Sequence, residues 1–112
     1  VKVGNYLNKV SAAIQDYVES NGYGVVRDYV GHGIGRDMHE DPEIPNYRTG
    51  RPGPKLVKGM TLAIEPMVTV GTYKVHTLPN RWTVVTNDGS DSAHYENTVL
   101  VTDNEPELLT LV

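Results

Sequence analysis

Only one stretch of this 112-residue sequence carries a helical period; the apolar runs that follow it are short and are separated by Gly and Pro. Leu7, Val10, Ile14, Tyr17 and Val18 recur at spacings of three, four and one, which predicts an amphipathic helix. Asn21-Gly22 ends it, because Gly adopts the left-handed backbone that a helix C-terminus needs. Beyond it, residues 23–30, 61–70, 81–86 and 93–102 are rich in β-formers and predict strands. Asp88-Gly89 predicts a turn, and residues 107–112 a short last strand. Residues 31–59 hold six Gly and four Pro, so no regular element is expected throughout them. Such irregular surface segments often carry function. One helix followed by mostly antiparallel strands is an α+β arrangement. The length accommodates a single domain, residues 1–112.

Composition removes several classes of function. Ten basic and 14 acidic side chains give a net charge of −4, which argues against non-specific nucleic-acid binding through phosphates. No apolar run approaches the roughly 20 residues of a spanning helix, and no secretory signal precedes the first helix, so no membrane partner is expected. The absence of Cys excludes disulfides, Cys-ligated zinc, iron–sulfur clusters and thiol nucleophiles, and fits a cytoplasmic setting. The start at Val1 and the lack of Phe beside seven Tyr suggest a fragment or an engineered half domain.

Four constellations could carry chemistry. His32 lies in Gly31-His32-Gly33-Ile34-Gly35, where three glycines leave it little steric cover and a ligand could approach. The alternative is a turn with an incidental His. It is no dinucleotide loop, since Arg36 stands where a third Gly would fall. His39-Glu40 is no zincin motif, since Glu43 replaces the second His, and a plain polar loop is the competing reading. Glu65 interrupts the apolar run Leu62-Ala63-Ile64-Glu65-Pro66-Met67. Strand alternation puts it on one face with Ala63 and Met67. If that face is buried, the carboxylate must be paired, hydrogen-bonded or metal-bound, since burying it bare is costly. If it faces water, it needs nothing. Glu96 repeats the pattern, with His94, Glu96 and Thr98 on one face of a strand that is either central or a solvated edge. One imidazole and two carboxylates form an N/O donor set suited to Mn²⁺, Fe²⁺, Co²⁺ or Zn²⁺, and a Glu can bridge a dinuclear pair. His39 could then donate to a substrate carbonyl.

These segments taken in order resemble methionine aminopeptidases of type I. The resemblance rests on Tyr29-Val30-Gly31-His32-Gly33-Ile34-Gly35 with His39-Glu40 and Pro42, and on Gly59-Met60-Thr61-Leu62-Ala63-Ile64-Glu65-Pro66-Met67. It continues through Trp82-Thr83-Val84-Val85-Thr86, Asp88-Gly89-Ser90, Ser92-Ala93 and Glu96. It implies the pita-bread α+β fold, with one or two helices on a mostly antiparallel sheet. It implies His32 and Glu65 as metal ligands, Glu96 as a ligand shared by two ions, and His39 beside the scissile peptide. Glu65 and Glu96 would thereby also be catalytic. Met38 and Trp82 would line a methionine pocket, and His94 would lie near the substrate. The reaction implied is removal of an N-terminal methionine by metal-activated water, with a peptide or protein N-terminus as substrate.

The match covers only the C-terminal half of the family's catalytic domain. The half that would supply two aspartate ligands and a further His is not represented. Asn97 stands where a His commonly follows the shared Glu, and His39-Glu40-Asp41-Pro42 with Glu96-Asn97-Thr98 leans toward the related Xaa-Pro peptidases. A homodimer about a twofold axis would complete the half fold and double the ligand set. Weak activity, or a non-catalytic peptide-binding or structural module, are the further readings.

Overall fold

The computed structural model describes all 112 residues. The helix α1 runs Leu7–Ser20. Its N-terminus has no side-chain cap. Instead, the Leu7 and Asn8 N–H groups donate to the carbonyls of Pro54 and Pro52, each at 2.9 Å, so a distant loop satisfies the open end. At the other end Gly22 has φ 85°. The Gly22 N–H donates to Glu19 O at 3.0 Å and the Tyr23 N–H to Val18 O at 3.2 Å, a Schellman closure that requires the glycine.

The buried side of α1 is rotated from the predicted stripe. Leu7, Val10, Ser11 and Gln15 are buried, whereas Tyr17 is 75% exposed. Gln15 is drawn inward by hydrogen bonding: its Oε1 accepts the Arg48 N–H at 2.8 Å and its Nε2 donates to Glu19 at 2.9 Å. The other side of the stripe, with Val10, Ala13, Ile14 and Tyr17, lines an open apolar groove against Pro66 and Val68.

Ten short strands follow: β1 (Gly24–Val25), β2 (Gly31–Gly33), β3 (Glu40–Ile44), β4 (Thr61–Ile64), β5 (Met67–Thr69), β6 (Val75–Thr77), β7 (Val84–Thr86), β8 (Ser92–His94), β9 (Asn97–Leu100) and β10 (Glu107–Leu108). They form a five-stranded sheet in the order β10-β9-β4-β2-β3, a three-stranded sheet β1-β5-β8 and the hairpin β6-β7. All pairings are antiparallel. Leu7, Val10, Ile44, Leu56, Leu62 and Val101 form the core between α1 and the large sheet.

Residues 31–59 are not regular throughout, as expected; they hold the short strands β2 and β3. Gly31 and Gly33 let neighbouring backbones close in, since a Cβ on either would collide with a carbonyl oxygen, Ala63 O or Asp41 O. Three strand expectations are corrected. Residues 61–70 and 93–102 each form two strands, not one. Both breaks fall at the boundary between the sheets, at Glu65-Pro66 and Tyr95-Glu96. Trp82 is not in a strand but at the tip of the β6-β7 hairpin, where Arg81 has φ 63°.

Candidate metal centre

Two chain segments cross from one sheet to the other and carry the acidic groups with them. Ile64 pairs with Asn97 before the break and Met67 with His94 after it. The offset is the same on both sides, so Glu65 stands across from Glu96 and Pro66 across from Tyr95. Proline has no N–H to give to a ladder, which is why pairing lapses here. The Tyr95 N–H still reaches Pro66 O at 3.3 Å and keeps the two segments in register. Two carboxylates facing each other across a strand pair repel unless a cation lies between them.

β2 supplies the imidazole. His32 pairs with Ala63, so its side chain emerges on the face that Glu65 and Glu96 share. His32 Nε2 lies 3.1 Å from Glu65 Oε1, with the two side chains only 12% and 16% exposed. His32 Nδ1 lies 2.9 Å from Gly33 O. A carbonyl only accepts, so Nδ1 carries the proton, and in the neutral ring the Nε2 lone pair points at a carboxylate oxygen. A cation between these two acceptors, either a second proton on the ring or a metal ion, reconciles them. One donor atom each from His32, Glu65 and Glu96 lie within 4.8 Å of one another. The donor set and its spacing therefore fit a divalent ion, and the Nδ1–H···O=C bond is the outer contact that typically orients a ligating imidazole.

The glycines around His32 have a different role from the expected one. Gly31 and Gly33 are buried between strands and serve backbone packing rather than ligand access. Gly35 is exposed, with the Glu40 carboxylate against it.

His39 lies beyond the end of β2 with its ring centroid 4.1 Å from that of His32, tilted by 44°. The two line an open cleft with Asp37, Glu40, Asp41 and Glu43. His94, expected near a substrate, places Nε2 3.2 Å from Glu65 Oε2. Met38 is 72% and Trp82 87% exposed, and neither belongs to the cluster or lines the cleft beside it. Alternation within each strand grouped Glu65 with Ala63 and Glu96 with His94 correctly. It gave no sign that Glu65 and Glu96 face each other, nor that Gly33 O would fix the His32 tautomer.

A second polar knot positions the hairpin that carries Trp82. The Asp88 carboxylate accepts the Thr72 N–H at 2.8 Å, the Ser90 hydroxyl at 2.7 Å and the Ser90 N–H at 3.0 Å. The Thr72 bond, then those from Ser90, hold its pKa down to about 2 from an ordinary 3.8. This tie joins the chain before β6 to the chain after β7.

A helix over antiparallel sheets, with imidazole and carboxylate groups gathered where the sheets meet, is an arrangement suited to a metallohydrolase. Residues 1–103 match metallopeptidase family M24, and the chain belongs to that family. Within it, the chain is similar to methionine aminopeptidases. It is 71% identical over 111 residues to the one from Clostridium acetobutylicum, covering 97% of this chain and 44% of that protein. The crystal structure of methionine aminopeptidase from Thermotoga maritima superposes with a TM-score of 0.93 at 57% identity, over 98% of this chain and 44% of that one. The prolidase from Pyrococcus furiosus, at 27% identity, covers all of this chain and 27% of its own length, with a TM-score of 0.66. The chain thus spans less than half the length of the relatives it matches. Its fold is the corresponding part of the pita-bread fold. No helix is long and apolar enough to cross a membrane.

Proposed function

We propose that this chain is a metal-binding lobe for hydrolysis at peptide N-termini, of the methionine aminopeptidase kind. The observation that carries this is the His32–Glu65–Glu96 cluster, with a fixed imidazole tautomer and two facing carboxylates. His32, Glu65 and Glu96 would hold a divalent ion, and Glu96, the most exposed of the three, would be the ligand shared with a second. Mn²⁺, Co²⁺, Fe²⁺ and Zn²⁺ all suit such N/O donors. When bound, the metal supplies an activated water and a Lewis acid for the scissile carbonyl. His39, open to the same cleft, donates to the peptide carbonyl as charge develops on its oxygen. Met38 and Trp82 offer a thioether and an indole to a methionine side chain, but each stands in solvent here and needs another surface to close a pocket.

Three ligand residues fall short of the five that the resemblance implies. A second copy of this chain, meeting the first about a twofold axis, would add a second set. The exposed apolar groove along α1 and the bare Trp82 and Tyr95 support association of that kind. The similarity to methionine aminopeptidases, well above that to the prolidase, favours methionine over Xaa-Pro substrates.

Calorimetric titration with Mn²⁺ or Co²⁺ tests the centre. The unsubstituted chain should bind, and the double variant Glu65→Ala, Glu96→Ala should lose tight binding. Equal affinity in both would remove the assignment. A paired assay on Met- and Xaa-Pro-peptides then separates the two substrate classes. A metal-free protein that still retains peptides would point to a non-catalytic module.

A further inference from the structure

Glu65 is flanked on both sides by imidazoles, and the two are not equivalent. His32 Nδ1 is committed to Gly33 O, which in the neutral ring leaves its Nε2 as an acceptor toward Glu65 Oε1. His94 has no such commitment: its Nε2 alone is engaged, 3.2 Å from Glu65 Oε2, and its side chain is 42% exposed. With the proton on Nε2, His94 donates to Oε2. One carboxylate oxygen then has a donor and the other faces only a lone pair.

We propose that His94 is the positioning residue for the metal ligand Glu65: by donating to Oε2 it turns Oε1 toward His32 and reserves that oxygen for the cation. The register supports this. His94 pairs with Met67, two residues beyond Glu65 on the crossing strand, and so reaches back over the break at Pro66. Glu65 and Pro66 lie between β4 and β5, in neither sheet. A donor on the opposing segment fixes the Glu65 carboxylate there. His94 thereby acts on the ligand Glu65, while lying near the substrate as the resemblance implies. This inference rests on the metal reading above.

Titration with Co²⁺, followed by calorimetry and by the visible absorption of the bound ion, tests it on the intact chain. His94→Ala should weaken binding by about 10–100-fold, the usual effect of losing an outer partner of a ligand, and should change the Co²⁺ spectrum. His94→Gln, which keeps an N–H donor at a similar reach, should recover most of the affinity and the spectrum. Circular dichroism should be the same for all three proteins. Unchanged affinity and spectrum in His94→Ala, or a Gln variant as weak as the Ala variant, would overturn the positioning role while leaving the centre intact. Failure of the unsubstituted chain to bind Co²⁺ would overturn the metal centre itself, and this role with it.

Discussion

Single side chains explain the local chemistry. Asp88 gathers three donors on one exposed carboxylate, and its pKa of about 2 lies below its ordinary value. A depressed pKa stabilises the fold wherever the carboxylate is ionised in both states. The contribution is complete above about pH 4 and disappears as pH falls through 2. Thermal melts of the wild type and Asp88→Ala should therefore differ most at pH 5 and converge only below about pH 2. A gap that stays constant with pH would contradict the role given to Asp88. Glu65 makes a second prediction at this scale. Glu65→Gln keeps the size and removes the charge, so it should abolish metal-induced stabilisation while leaving the apo melting temperature close to that of the wild type.

At the scale of elements, the sheet around His32 depends on two positions without side chains. β2 runs between β3 and β4, and a Cβ at Gly31 would meet the Ala63 carbonyl. Gly31→Ala should cost about 1–3 kcal/mol through forced backbone movement, and should also weaken metal binding because β2 carries His32. Leu62, at 1% exposure in the adjoining strand, is a packing control. Leu62→Ala should cost about 2–5 kcal/mol. Urea unfolding measures both. If Gly31→Ala left both stability and metal affinity unchanged, the account of the glycines as packing devices would fail.

For the whole molecule, the distribution of apolar surface matters most. A small core lies under α1, while Tyr17, Trp82, Tyr95 and Met38 stand in solvent. Size-exclusion chromatography with light scattering should show association that rises with concentration through the micromolar range, and a strict monomer would count against the twofold assembly. Metal should act on the global equilibrium as well. An ion that binds only the folded state at 100 times its dissociation constant adds about 2.7 kcal/mol. The melting temperature should therefore rise with Mn²⁺ or Co²⁺ and return to the apo value with a chelator.

The sequence by itself determined the helix and its stop at Gly22, the β-rich remainder, the turn at Asp88-Gly89 and the pairing of each strand carboxylate with its own face, because these depend on periods of a few residues. The motif order also pointed to the peptidase family. Only the tertiary structure decided that residues 61–70 and 93–102 break where two sheets meet, and that Glu65 faces Glu96 across the break. The same holds for Gln15 replacing Tyr17 on the buried side of α1, and for the approach of His94 to Glu65. Each depends on a partner that lies from four to more than thirty residues away, and hydrogen bonds and strand register across such distances leave no local period to read.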